Sequence, residues 1–242
     1  MKMRIDKLLA HSGFGTRKEV KELIKTGLVE INGVVVKKPK EKADPDKDEI
    51  TVGVESIDYQ EYVYFMLNKP QDVISATEDT YHHTVIDLLE PADIILEPFP
   101  VGRLDIDTEG LLLLTNNGKL SHSLTSPNRG VPKVYYAQVD GIMTEVDVER
   151  FKEGVILDDG YKTLPAELKI LAVDEEAGSS EIELLVTEGK YHQVKRMVQS
   201  VGKEVVYLKR LSMGPIHLDP DLPVGDYRQL TEEELESLEE YM

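Results

Sequence analysis

The first forty residues show helical spacing of apolar positions, followed by a turn signal. Apolar side chains between positions 5 and 9 share one helical face, and those between 20 and 24 share another. Thr16 and Glu19 have the spacing of a capping box at the start of the second helix. Short apolar runs lie on either side of Asn32-Gly33, a dipeptide typical of a tight hairpin. The pattern predicts a module of helix, helix and hairpin.

The rest of the chain mixes strand-like and helix-like patterns without a regular order. The predicted strands are 62–67, 111–115, 134–139, 181–186 and 205–208. The predicted helices are 84–89, 145–153, 193–201 and 231–241, the last with a capping box at Thr231 and Glu234. Strands and helices that do not alternate regularly indicate an α+β domain, with a mixed or antiparallel sheet flanked by helices.

A charged segment separates the two patterns. Residues 39–48 hold two prolines and many charges, which predicts a linker or an exposed loop. We place the domain boundary near residue 58. The expected domains are therefore 1–58 and 59–242.

Charge is unevenly distributed along the chain. The formal net charge is −18, which taken alone argues against nucleic acid as a partner. Residues 1–42, however, carry 11 Lys and Arg against 5 Asp and Glu, and a second basic island spans 185–210. Because salt screens charges over roughly 10 Å, RNA binding depends on such local patches rather than on the total. Two basic patches on an acidic protein are compatible with RNA.

Cysteine is absent, so neither disulfides nor thiolate chemistry contribute, as expected for a reducing compartment. The N-terminus has no apolar signal-peptide core, and the longest aliphatic run, 111–114, is too short to cross a bilayer. We expect a cytoplasmic protein without membrane contact. The six histidines lack the spacing of helical zinc motifs, so no metal site is expected.

Candidate chemistry concentrates in the segment 102–110, where glycines bracket a turn that holds Asp105 and Asp107. One interpretation is structural, since Asx and Thr side chains often satisfy backbone donors in turns. Another is catalytic, because Asp-Ile-Asp-Thr also matches the opening motif of Mg²⁺-dependent phosphatases that form an aspartyl-phosphate. That motif leaves a buried apolar strand, whereas two prolines and a charge precede it here, at 97–103.

Five ordered segments carry a family resemblance. They are Leu67-Asn-Lys-Pro70, Gly102-Arg-Leu-Asp105 continuing to Gly118, Lys133-Val-Tyr135, Gly189 to Met197, and Gly225 to Glu233. Together they resemble the motifs of the RsuA/RluB-type pseudouridine synthases. The N-terminal module resembles the S4-like RNA-binding domain that many of these enzymes carry. Residues 103–108 and 122–127 are most similar to the small-subunit rRNA branch, RsuA.

The resemblance implies a set of site residues. Asp105 is the expected catalytic carboxylate, ionised in a dry pocket, with Lys195 as its paired cation and Tyr135 against the target base. Arg103 is expected to fill the space that a flipped uridine leaves, and His192 to hydrogen-bond locally. The expected RNA-binding residues are Arg103, Arg4, Lys7, Arg17, Lys18, Lys21, Lys190 and Arg196. Neither a metal nor a cofactor is expected, because uridine supplies both the leaving group and the new nucleophile.

The implied activity is an isomerase that converts a specific uridine in small-subunit (16S) rRNA to pseudouridine. Its expected partner is ribosomal RNA, free or in a partly assembled 30S particle, and the expected form is a monomer. Three alternatives remain open. They are a pseudouridine synthase for 23S rRNA, a non-catalytic RNA-binding ribosome-assembly factor, and a Mg-dependent aspartyl phosphatase.

Overall fold

The computed structural model describes residues 2–57 and 59–242. The chain forms two compact units, Met1–Val63 with Glu90–Pro98 and Tyr64–Leu89 with Phe99–Met242. Among the described residues, none of the helices is long and apolar enough to span a bilayer.

The first unit contains the predicted helix, helix and hairpin. Its helices are α1 (Ile5–His11), α2 (Arg17–Lys25) and α3 (Pro91–Ile94), and its strands are β1 (Met3–Arg4), β2 (Val29–Ile31), β3 (Val34–Val35), β4 (Lys42–Ala43), β5 (Ile50–Val52) and β6 (Glu55–Ser56). The strands form a four-stranded sheet in the order β3-β2-β5-β6 and a separate β1-β4 pair. The capping box of Thr16 and Glu19 is present at the start of α2. Buried apolar side chains of α1, α2 and the sheet form one core.

The segment 39–48, predicted as a linker or an exposed loop, lies inside the first unit and consists mostly of turns and loop. Within it, β4 pairs antiparallel with β1, and Ala43 is completely buried. The backbone N–H of Asp44 donates to the carboxylate of Asp48 at 2.7 Å, which closes a local turn. The β1–β4 pair therefore anchors this charged segment to the first unit.

The second unit is built on a mixed sheet of nine strands. This unit contains eleven strands, and all of them except β8 and β9 belong to the sheet. They are β7 (Tyr64–Lys69), β8 (Val73–Ile74), β9 (His83–Thr84), β10 (Phe99–Pro100), β11 (Glu109–Thr115), β12 (Lys133–Asp140), β13 (Glu167–Asp174), β14 (Ser179–Val186), β15 (Glu204–Met213), β16 (Ile216–His217) and β17 (Tyr227–Gln229). The sheet order is β13-β14-β12-β15-β11-β7-β17, with β10 paired to β11 and β16 to β15. The β11–β15 contact is parallel, and the other pairs in this sheet are antiparallel. The α+β prediction with a mixed sheet is confirmed.

Four helices belong to this unit. They are α4 (Gly118–Thr125), α5 (Glu145–Glu153), α6 (Gln193–Ser200) and α7 (Glu232–Ser237). Helices α5 and α6 pack on one core with β12, β14 and β15, and α4 packs on another with β7 and β11. Within α6, Val194, Met197 and Val198 are buried, which leaves Lys195 off the apolar stripe as its spacing predicted.

Some elements differ from the sequence prediction. The predicted helix 84–89 is a single 3₁₀ turn, Val85–Leu88, in a segment followed closely by Pro91, which is incompatible with a continuing helix interior. Helix α4 was not predicted, because its Gly, Ser and Thr residues are poor helix formers. The Asn117 side chain starts it by accepting from the N–H groups of Lys119 and Leu120. Strands β13 and β17 also escaped prediction.

Gly110 provides a test of the β11–β15 contact. Its φ is +100°, and an added Cβ would overlap the Arg210 carbonyl oxygen and lie 2.8 Å from Arg210 N. We expect Gly110→Ala to lower the free energy of unfolding by at least about 2 kcal/mol, because it strains the backbone and separates the strands. Urea denaturation followed by circular dichroism measures this loss. Gly118→Ala is the control, since nothing lies within 4 Å of the Cβ built there. A Gly110→Ala protein as stable as the control would contradict the packing argument.

Candidate active site

Asp105 lies in the turn that leads from β10 into β11. The Thr108 N–H donates to the Asp105 carbonyl at 3.1 Å, which closes the turn. On its other side, Ser75 Oγ both accepts from Leu104 N and donates to Leu104 O, each at 3.0 Å. The backbone on both sides of the carboxylate is therefore tied to the fold.

Lys69 is the main tether of this turn. Its side chain is fully buried at the end of β7. Its Nζ donates to the carbonyl oxygens of Pro70 at 2.9 Å and of Asp105 and Thr108 at 3.0 Å. Burial lowers the pKa of Lys69 to about 8, opposed chiefly by the charges of Asp107 and Asp105. Lys69 was not among the predicted site residues, because a lysine next to proline carries no signal of burial.

The Asp105 carboxylate faces the ammonium group of Lys195. Lys195 Nζ lies 3.2 Å from Asp105 Oδ2 and 2.6 Å from Asp107 Oδ1, so one cation serves both carboxylates. Burial acts to lower the pKa of Lys195, but hydrogen bonds and charges from Asp107 and Asp105 outweigh it and raise that pKa. Burial likewise acts to raise the pKa of Asp107, and Lys195 brings it below its usual range. The structure thus brings together the expected pair and adds Asp107 to it.

His192 lies on the other side of Asp105. Its Nε2 is 3.6 Å from Asp105 Oδ1, and its ring stacks on Tyr191 with centroids 3.7 Å apart. The residue has φ +49°, in the left-handed region, immediately before α6. The ring therefore points to the carboxylate, and none of the hydrogen bonds among the described residues supports the purely local role expected for it.

A cavity of about 780 Å³ opens beside Asp105. Tyr135 and Arg103 both line it, Arg103 with an exposed side chain. Tyr135 is the register partner of Arg210 across β12 and β15, so the two side chains share a region of the wall. The side chain of Asp105 is 30% exposed to solvent. In the protein alone the pocket is therefore not dry, contrary to the expectation.

The remaining predicted residues have different surroundings. Lys190 lines the cavity, with its Nζ 4.4 Å from the centre of the Tyr161 ring. Arg196 points elsewhere and pairs with Asp158 and Asp159, at 2.6 and 2.7 Å. Within the part of the chain that the structure describes, no group of three or more His, Asp or Glu side chains forms a metal site.

The basic residues of the first unit also differ among themselves. Arg4 forms a two-bond contact with the buried carboxylate of Asp6, at 2.9 and 2.6 Å, so its charge is locally neutralised. Four others are exposed and form none of the ion pairs found among residues 2–57 and 59–242; they are Lys7, Arg17, Lys18 and Lys21.

Comparisons with known proteins agree with this geometry. The profile of a family described as RNA pseudouridylate synthase matches residues 63–200, and the S4 domain profile matches residues 3–50. The chain belongs to the RNA pseudouridylate synthase family. Its N-terminal S4 domain and its relatives place it among the RsuA/RluB-type pseudouridine synthases, as the motif order predicted. The Asp105 turn is therefore part of a pseudouridine synthase, not of an aspartyl phosphatase.

Relatives of this pseudouridine synthase match over nearly their whole length. The uncharacterized RNA pseudouridine synthase YtzG of Bacillus subtilis (strain 168) is 55% identical over 98% of this chain and 99% of its own. The ribosomal large subunit pseudouridine synthase B of the same strain is 39% identical over 97% and 95%. The ribosomal small subunit pseudouridine synthase A of Escherichia coli (strain K12) is 37% identical over 98% and 100%. A crystal structure of a pseudouridylate synthase superposes with a TM-score of 0.67 at 35% identity, covering 98% and 99%.

The buried Lys69 ammonium generates a pH-dependence of stability. Its pKa is about 8 in the folded chain and close to about 10.4 when unfolded. The unfolded chain therefore holds more protons between these values, and the free energy of unfolding rises as pH increases through that interval. From about pH 7.5 to about pH 9.5 this one group contributes a gain of about 2 kcal/mol.

We expect Lys69→Met to lack this gain. Urea denaturation at the two pH values measures the rise for the wild type and for each variant. Lys119→Met is the matched control, because Lys119 is an exposed lysine on α4. If the rise in Lys69→Met equalled that of the control, the buried ammonium would be the wrong explanation.

Proposed function

We propose that this pseudouridine synthase converts a uridine of small-subunit (16S) rRNA to pseudouridine, with Asp105 as the reacting carboxylate. The observation that supports this most is the Asp105–Lys195 pair, 3.2 Å apart at the edge of a 780 Å³ cavity that Tyr135 also lines. A cavity of this size suits a single nucleoside. An aromatic wall suits a flat base, which stacks on it.

The reaction detaches the base from ribose, turns it and rejoins it through carbon. Asp105 acts either by attacking C1′ of the ribose or by taking a proton from C2′. Both routes need the ionised carboxylate, and the Lys195 ammonium lies 3.2 Å from it as its counter-ion. Uridine provides both the leaving group and the new nucleophile, so the proposed reaction uses neither metal nor cofactor.

Tyr135 and Arg103 are the proposed substrate contacts. A uridine in folded RNA reaches Asp105 only after it leaves its stack. The exposed Arg103 side chain, two residues before Asp105, is suited to fill the gap that remains. Tyr135 is suited to stack on the extruded uracil. Lys190, exposed at the cavity, is the proposed phosphate contact here.

Residues 1–58 are the proposed RNA-binding domain, and residues 59–242 the proposed catalytic domain. The S4 domain match at residues 3–50 supports the first assignment. The exposed cations of α1 and α2 supply the phosphate-binding charge, which we call the basic face: Lys7, Arg17, Lys18 and Lys21. Arg4 and Arg196 were also expected to bind RNA, but each is already neutralised by a carboxylate, which weakens that proposal.

The rRNA target is the finer part of the proposal. The segments 103–108 and 122–127 favour the small subunit, as stated from the sequence. The chain is about as similar to a large-subunit enzyme, at 39% identity, as to a small-subunit enzyme, at 37%. 23S rRNA is therefore the second candidate. We propose that the protein acts as a cytoplasmic monomer, on free rRNA or on a partly assembled 30S particle.

Substitution of Asp105 tests the activity. Purified protein is incubated with separate 16S and 23S transcripts in EDTA, and pseudouridine is then mapped. We expect the wild type to modify a 16S uridine, Asp105→Asn to lose at least about 10⁴-fold in rate, and Lys195→Met about 100–1000-fold, without unfolding. Asp140→Asn, an exposed carboxylate at the end of β12, is the control. Conversion by Asp105→Asn at the control rate would overturn the assignment, and modification of 23S alone would select the second candidate.

The basic face predicts a salt-dependent affinity. Replacing its four cations by Ala should weaken RNA binding and reduce the slope of log Kd against log salt by up to about 0.7 per lost phosphate contact. Fluorescence anisotropy with a labelled transcript over a range of salt concentrations measures both quantities. A variant lacking Lys152 and Lys169, exposed lysines of the second unit, is the control. An unchanged slope in the basic-face variant would contradict RNA contact by α1 and α2.

A further inference from the structure

Two of the cations that line the cavity are withdrawn from solvent and form none of the ion pairs among the described residues. Arg210 is only 2% exposed, and its Nε donates to Leu111 O at 2.8 Å. Its Nη2 is shielded from solvent and has no hydrogen-bond partner within residues 2–57 and 59–242. Lys133 is half-buried, and its Nζ donates to Val131 O at 2.9 Å. We call Lys133 and Arg210 the cationic floor.

The carboxylates that line the same cavity are engaged elsewhere. Asp105 and Asp107 share Lys195. Glu188 accepts from Tyr161 Oη at 2.7 Å, from Leu164 N at 2.9 Å and from Gln193 Nε2 at 2.8 Å. None of the ion pairs formed by residues 2–57 and 59–242 includes a member of the cationic floor. Its positive charge therefore stays uncompensated in the protein alone.

Such an arrangement is unfavourable for folding. Burial, with a further contribution from Arg210, lowers the pKa of Lys133 to about 8. Burying cations without a counter-ion costs free energy that neighbouring apolar side chains do not return. Groups perturbed in this way and gathered in a cleft are candidates for a functional site. The missing anion then comes from the ligand.

The position of the cationic floor points to the base rather than to the sugar-phosphate backbone. Lys133 and Tyr135 are two residues apart on β12, on the same side of the strand, and Arg210 lies opposite Tyr135. Leu208 and Met213 line the same cavity and are buried. Apolar and aromatic surroundings admit a flat, neutral uracil more readily than a hydrated phosphate.

We propose that the cationic floor stabilises the negative charge that uracil acquires when its bond to ribose breaks. The inference rests on the proposed function. Lys133 is the catalytic residue of the two, because its ammonium can turn to a uracil oxygen. Arg210 is a positioning residue: it fixes the part of the cavity wall beside Tyr135, and its positive charge adds to the electrostatic potential there. Fixed charges aimed at developing charge need no reorganisation during the reaction.

The electrons of this step balance. The C1′–N1 bond breaks with both electrons on the base, whose charge spreads over O2 and O4, while Asp105 bonds to C1′ or holds the C2′ proton. C5 then provides the electron pair of the new C1′–C5 bond, as Asp105 leaves C1′ or returns the proton to C2′. The proton that C5 loses is matched by one that N1 gains, and the product is an isomer of the substrate.

Lys133→Met tests the proposal. We expect the single-turnover rate at saturating rRNA transcript to fall about 100–1000-fold, with Kd for the transcript within about 2-fold of the wild type. Lys133→Arg keeps the charge and should retain a rate within about 10-fold of the wild type. Lys169→Met, an exposed lysine on β13, is the control.

A uracil that leaves ribose more easily should reduce the rate loss caused by Lys133→Met. Fluorine at C5 withdraws electrons from uracil and stabilises its anion without help from the protein. The rate loss of Lys133→Met should therefore be at least about 10-fold smaller on a transcript made with 5-fluorouridine. The readout is the disappearance of 5-fluorouridine from nuclease digests of the transcript, which requires only cleavage of the C1′–N1 bond.

A lysine titration supplies a readout that does not depend on activity. Because Arg210 lowers the pKa of Lys133, Arg210→Met should raise that pKa, as followed by ¹³C NMR of the lysine side chain. Near-ultraviolet circular dichroism checks that this variant folds, since Arg210 also holds Leu111 O. If the Arg210→Met variant does not fold, the test relies on Lys133→Met. That substitution is better tolerated, because the Lys133 side chain is only half-buried.

The outcomes are distinguishable. A Lys133→Met rate within about 3-fold of the control, or an equal defect on both transcripts, overturns the inference while the proposed function stands. A raised Kd with a flatter salt dependence and an unchanged saturating rate means that Lys133 contacts phosphate, which also overturns it. If the wild type modifies neither rRNA transcript nor the rRNA of a partly assembled 30S particle, the proposed function fails before the cationic floor is tested.

Discussion

One buried ammonium keeps the Asp105 turn in place. Lys69 donates to carbonyl oxygens at Asp105 and beyond it, and it ends β7, the strand beside β11. The ammonium nitrogen of Lys69 carries three N–H donors that point in different directions. It can therefore bind several carbonyl oxygens of the turn, which have no partners in a regular helix or sheet. The orientation of the Asp105 carboxylate, and with it the distance to the Lys195 ammonium, depends on the shape of this turn. The site is therefore built from the backbone outward.

The cavity separates its charges into two groups. Lys195 is enclosed by Asp105 and Asp107, whereas Lys133 and Arg210 lie in the wall that carries Tyr135 and have no counter-ion among the described residues. A substrate that enters neutral and becomes negative during bond breaking suits this division. In the proposed reaction the first group pairs the reacting carboxylate with a cation, and the second faces negative charge only while the bond to ribose breaks.

Local signals made much of the fold predictable. The capping boxes at Thr16 and Thr231 and the Asn32-Gly33 turn act over a few residues, and all three appear where expected. Asp105 was predicted from a motif contiguous in sequence. The burial of Lys69 and Arg210 was not predicted, because it depends on carbonyls and strands far along the chain. The same holds for the segment 39–48, whose charges gave no sign that β4 pairs with β1.

Asp107 gives Lys195 a second counter-ion, 2.6 Å away. In either proposed route Asp105 loses its negative charge, by bonding to carbon or by taking up a proton. The ammonium on α6 then keeps a negatively charged neighbour instead of becoming an isolated, half-buried cation. A change of charge on Asp105 therefore leaves the N-terminal end of α6, and the cavity wall formed there, with an intact ion pair.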